Sequence, residues 1–152
     1  MMAKKEIPEQ LSPNLVQFFE GEKLVLLTTI EWETKTPNVT AISWVKAVDE
    51  KHIRFSVTNQ SRLYKNIEAN PNVVLTVIAN ETVYSIHGKA KILEEKMEGV
   101  AIKLAKIELE VSAVFESMFW GAKITQEPEY VKTYNPKKAK ELDEQVYTAL
   151  MS

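Results

Sequence analysis

The chain has 152 residues, of which 45% are hydrophobic and 26% charged, with a net charge of -2 and no cysteine. That length can bury a real core, and the lack of cysteine excludes disulfides, zinc–thiolate sites and thiol catalysis. No block of like charges announces a nucleic-acid surface. The segment from Met1 to Pro8 has no signal-peptide stretch, and apolar runs such as Val73 to Ala79 are too short to cross a bilayer. The expectation is a soluble cytoplasmic protein in which residues 1–152 form one domain with a helix near each end.

Ser12 and Pro13 read as the cap and first position of a short helix, with Gly21 at its end. Lys23 to Ile30 is β-rich, and its nearly continuous apolar start suggests a strand buried on both faces. The Lys35-Thr36-Pro37 stretch turns the chain into a returning strand over 38–48. There the small residues Thr40, Ala41 and Ser43, with Ile42, leave room for a ligand to approach the backbone. His52 to Val57 alternates, with Ile53, Phe55 and Val57 on one side and Arg54 and Ser56 on the other.

A polar turn follows: Val57, Thr58, Asn59, Gln60, Ser61, Arg62. Ser61 is a suitable N-cap for the helix that Asn70-Pro71 stops, so backbone N–H groups at its start are free to meet an anion. Arg62 is one of two arginines against seventeen lysines. Its charge is unfavourable at a helix N-terminus, a conflict that an anion would remove, and its planar fork suits phosphate. The turn therefore reads as a phosphate cradle. The plainer reading, a solvated helix start with an incidental arginine, weighs somewhat more on local residues alone.

Val73 to Ala79 reads as a central strand. Asn80-Glu81 turns it into a long strand from Thr82 to Leu93, where Gly88 marks a bulge or close backbone approach. Glu94 to Gly99 reads as a helical connection. Lys103 to Val111 fits a half-exposed strand better than a helix. Val114 to Trp120 is an apolar cluster, 121–134 a loop, and Pro136 to Met151 a helix with an Ala139, Leu142, Val146, Ala149, Leu150 stripe. Six strands joined mostly by hairpins favour a mainly β fold, an antiparallel closed or split barrel with flanking helices.

His52 and His87 lie on different strands without carboxylates at ligand spacing, so no metal site is expected. No Gly-x-Ser-x-Gly turn or Gly-x-Gly-x-x-Gly loop is present. Trp32, Trp44 and Trp120 are able to stack on a planar ring, although packing is the commoner role for each.

The order of these pieces resembles the pyridoxamine 5′-phosphate oxidase-like family of FMN-binding split barrels. The matching residues are Thr58-Asn59, Ser61-Arg62, Asn66-Ile67, Asn70-Pro71-Asn72-Val73 and Gly88-Lys89-Ala90. They span Leu24 to Leu93 and, more loosely, extend through Val111. The resemblance implies a homodimer with FMN at the subunit interface. Ser61 and Arg62 would bind the phosphate, Thr58 would add a hydroxyl, and Val57 and Asn59 would lie beside it. Thr40, Ala41, Ile42 and Ser43 would follow the flavin ring, and Lys65 and Asn66 would assist. The chain departs from the family oxidases in carrying Leu63 after the arginine and no arginine beyond Arg62, so true pyridoxamine 5′-phosphate oxidase activity is not expected. The resemblance implies an FMN-dependent oxidoreductase acting on a small molecule. The alternatives are a non-catalytic FMN-binding or stress-related module, or a related barrel that binds haem or a deazaflavin.

Overall fold

Alternation of apolar and polar residues decides which face of each strand turns inward. In the structure, a computed structural model that describes residues 6–152, the elements in order are α1 (Pro13–Phe18), β1 (Val25–Ile30), β2 (Pro37–Ile42), β3 (Val45–Ala47), β4 (His52–Thr58), α2 (Arg62–Ala69), β5 (Asn72–Ala79), β6 (Thr82–Glu94), β7 (Leu104–Glu116) and α3 (Pro136–Met151). Val25 and Leu27, then Ile53, Phe55 and Val57, then Val73, Leu75 and Val77, and finally Ile107 and Leu109 point into one core. Each such side chain, fully buried, contributes about 1.5–3 kcal/mol relative to exposure.

The strands form a seven-stranded sheet in the order β2-β1-β5-β6-β7-β4-β3, with antiparallel pairing throughout. The strand expected over 38–48 is therefore two strands, broken at Ser43-Trp44. β2 lies at one edge of the sheet and β3 at the other. Ile42 and Val45 are three Cα steps apart and so at most about 11 Å from each other, so the edges must come together, and the sheet curls into a split barrel. The Ser56 N–H donates to the Trp44 carbonyl at 3.1 Å, extending the β3–β4 ladder up to this break.

Local signals place most turns. Ser12 Oγ accepts the Leu15 N–H at 3.2 Å, but the first helix ends at Phe18, with Phe19 as its C-cap, rather than at Gly21. Asn80 and Glu81 both have positive φ, 52° and 65°, which suits a two-residue hairpin whose twist matches its strands. Residues 95–99 form bends and turns instead of the expected helix. Met97 is buried there, and its N–H donates to the Leu104 carbonyl at 2.8 Å.

α3 covers a second apolar cluster of Met97, Leu104, Val146, Ala149 and Leu150. Its C-terminal carbonyls are held by cations from the sheet. Arg54 Nη1 donates to the Leu150 carbonyl at 2.8 Å and Lys106 Nζ to that of Ser152 at 3.0 Å, complementing the negative end of the helix dipole. Among the described residues, no helix is long and apolar enough to cross a membrane.

Candidate functional site

The seam between the sheet edges opens into a cavity of about 510 Å³. Leu24, Ala41, Ile42, Ser43 and Trp44 form one wall. Ser56, Val57 and Thr58, at the end of β4, form a second, and Ser61 and Leu63, at the start of α2, close one end. Tyr130, Lys132 and Tyr134 roof it from the irregular segment before α3. The lining is mostly apolar and aromatic with a few convergent polar groups, the usual character of a small-molecule site.

The cavity gathers Ala41, Ile42, Ser43, Val57, Thr58 and Ser61 from the positions expected on sequence grounds. Thr40, Asn59, Arg62, Lys65 and Asn66 do not line it. Thr40 Oγ1 accepts from Asn38 Nδ2 at 3.3 Å. Asn59 Nδ2 donates to the Glu95 carbonyl at 3.1 Å, tying the turn to the 95–103 connection. Asn66 is wholly buried, donating to Thr29 Oγ1 and accepting the Trp32 N–H, both at 3.0 Å. Both ends of its amide are engaged in fixing α2 to β1. Lys65 Nζ lies 5.5 Å from the Trp32 ring centroid.

Arg62 resolves its conflict with the helix dipole internally. Its Nη2 lies 2.6 Å from Glu31 Oε1 and 2.7 Å from Glu33 Oε1. Glu31 is rigidly set: its Oε2 accepts the Thr34 N–H at 2.7 Å, and the Glu33 N–H and Thr34 Oγ1 at 3.0 Å each. Led by the Thr34 N–H, these bonds hold its carboxyl below the ordinary range. Glu33 is half exposed and freer to move. Ser61 Oγ caps α2 by accepting the Tyr64 N–H at 3.2 Å, as its position before the helix suggests.

The roof is the part that sequence patterning does not disclose. Lys132 Nζ bridges Glu22 Oε1 at 3.0 Å and Asp143 Oδ1 at 3.3 Å. Burial alone would lower the Lys132 pKa, but Glu22 and Asp143 more than reverse this and keep the ammonium charged. The same Asp143 Oδ1 accepts Trp44 Nε1 at 2.8 Å, and the Tyr147 hydroxyl donates to the Ser43 carbonyl at 3.0 Å. Burial pushes the Tyr147 phenol well above its usual value. No local periodicity marks Tyr130, Lys132 or Tyr134, because their partners lie far away in sequence. Period-two alternation puts Ser56 on the face opposite Ile53, Phe55 and Val57 but does not single it out. Its hydroxyl is buried in the cavity wall without a hydrogen-bond partner.

Neither histidine enters the cavity. His52 Nδ1 meets Asp49 Oδ1 at 2.9 Å, and the His87 ring lies 4.7 Å from that of Phe115. Trp44 does line the cavity, whereas Trp120 is 97% exposed.

Comparison with solved structures gives the same fold. A Lactobacillus delbrueckii protein described as a candidate pyridoxamine 5′-phosphate oxidase has a TM-score of 0.60 at 19% identity, with 71% of this chain and 95% of that chain covered. HupZ of Group A Streptococcus gives 0.59 at 16% identity, covering 74% and 98%. An F420 reductase gives 0.58 at 21% identity, covering 66% and 95%. At these identities the likeness is one of fold. No curated protein matches the sequence. The family model for pyridoxamine 5′-phosphate oxidase, however, matches residues 11–118, which take in every strand and the turn at the cavity's end. By that match, the chain belongs to the pyridoxamine 5′-phosphate oxidase family.

Proposed function

We propose that this protein binds FMN in the cavity at the barrel seam and acts as an oxidoreductase on a small molecule. The observation that carries the reading is the convergence there of Ala41 to Ser43, Val57-Thr58 and Ser61 from separate elements, in a chain of this family. The cavity suits a planar, partly polar ring: it is walled by Trp44, Tyr130 and Tyr134, and one buried hydroxyl still lacks a partner. FMN would supply reversible hydride transfer. The chain's own residues would exclude water, orient the ring against Trp44 and Ile42, and present the α2 N-terminus to the phosphate.

Support for a homodimer comes from Phe119 and Trp120, which are 70% and 97% exposed beyond the end of β7. Large exposed aromatics beside one another suit a protein interface. A cytoplasmic location agrees with a chain without cysteine.

The test is an ultraviolet–visible spectrum of freshly purified protein, followed by titration with FMN. Flavin bands that survive gel filtration support the reading, and elution at twice the chain mass supports the dimer. A spectrum without flavin and unchanged by added FMN contradicts the cofactor. A Soret band would assign haem instead, deazaflavin absorbance a deazaflavin, and bound FMN without turnover of electron donors a binding module.

The phosphate end gives a separate prediction. Glu31, Glu33 and Arg62 together carry a formal charge of about -1, and the two carboxylates oppose an incoming phosphate. Glu33→Gln removes the exposed carboxylate, so FMN should bind several-fold tighter while riboflavin is unchanged. Equal affinities for FMN before and after the change would place the phosphate away from Arg62.

A further inference from the structure

Period-two alternation on β4 puts Arg54, Ser56 and Thr58 on one side of the strand. Arg54 shows which side this is: its guanidinium bonds the Leu150 carbonyl of α3 and Glu108. Ser56 lies one step further, in the cavity wall beneath the seam, at 3% exposure. Its N–H is engaged by the Trp44 carbonyl, whereas its hydroxyl has no partner.

Several other polar groups of the wall and roof are already engaged. Ser61 Oγ caps α2, and the Ser43 carbonyl accepts from Tyr147. Trp44 Nε1 donates to Asp143, and Lys132 is held between Asp143 and Glu22. A buried hydroxyl without a partner carries a penalty that a small change of sequence, serine to alanine, would remove. Its presence in a cavity wall has a function when a ligand completes the bond.

We infer that Ser56 is a ligand-binding residue of the cavity and that its hydroxyl bonds an uncharged polar group of the ligand's ring or linker. The charge of the surroundings excludes the phosphate from this position. The cationic side chain of the lining, Lys132, is already matched by two carboxylates, so nothing there offsets a dianion. Serine both donates and accepts, so a heterocycle bearing a carbonyl or ring nitrogen satisfies it and a hydrocarbon surface does not. Ser56 would thereby select among planar ligands of similar size.

The inference rests on the flavin reading and deepens it. Its test compares wild type and Ser56→Ala without ligand, with FMN and with riboflavin. The ligand-free variant should melt at or slightly above the wild-type temperature, because no internal hydrogen bond is lost. Both flavins should bind about tenfold more weakly, the effect of one lost neutral hydrogen bond, with the FMN-to-riboflavin ratio unchanged. A large fall in melting temperature would show that the hydroxyl has a structural partner and would overturn the assignment. Unchanged affinities would also overturn it, and weakening of FMN alone would assign Ser56 to the phosphate. If wild type binds neither flavin, the cofactor reading itself fails, an outcome distinct from all of these.

Discussion

Gly88→Ala should be severely destabilising, by about 3 kcal/mol, as expected for forced overpacking in a core. A Cβ at this position would lie 2.2 Å from the Glu110 carbonyl oxygen and 3.0 Å from Leu109 Cγ. The first of these is backbone and cannot swing aside. Gly88 sits at the register shift between β6 and β7, opposite Val111, so relief of the clash would separate the central strands. For a chain of this size the change should lower the melting temperature by roughly 6–12 °C. His87→Ala, at the exposed neighbouring position, provides the control and should shift it little. A Gly88→Ala protein that melts with the wild type would show that β6 and β7 do not approach as closely as placed.

Ala41→Trp should abolish ligand binding while preserving the fold. Ala41 lies on the edge strand β2, exposed to solvent and lining the cavity. An indole there would occupy space that a ring ligand needs, next to Ile42 and Trp44. FMN affinity should fall at least about a hundredfold, equivalent to roughly 2.7 kcal/mol. The melting temperature should hold, because no buried group is disturbed. Titration of both proteins by flavin fluorescence checks this, and undiminished binding by Ala41→Trp would place the ligand elsewhere.

The sequence was most legible where local chemistry decides the outcome. Ser12 and Ser61 cap their helices because a short hydroxyl before a helix reaches a free N–H. The residues from Pro136 to Met151 form α3 as their 3.6-residue stripe predicts. Gly88 marks the bulge because no other residue fits against Glu110. The break at Ser43-Trp44 was less legible. Each half of 38–48 is strand-like, and the need for a break arises only from joining two edges of a curled sheet. The connection at 95–99 has helix-compatible residues, but the backbone bond from Met97 to Leu104 closes it as a turn instead.

The candidate site divides in the same way. The turn from Thr58 to Ser61 and the small residues of β2 were readable because they lie close together in the chain. The carboxylates that occupy Arg62 come from the β1–β2 connection, twenty-nine residues away for Glu33. Asn66 resembles a polar residue available to a ligand until Thr29 and the Trp32 N–H take both ends of its amide. Lys132 and Tyr130 belong to the site only because Glu22 and Asp143 draw the segment before α3 over the seam. Such choices depend on tertiary geometry, to which no local pattern gives access.

The central claim is that FMN enters this cavity. The most direct measurement is the shift of assigned backbone amide resonances as FMN is added. Shifts are expected at Ala41 to Trp44, Ser56 to Ser61 and Tyr130 to Tyr134, three separate segments of the chain that line one cavity. Shifts confined to other segments, or none at saturating FMN, would contradict it.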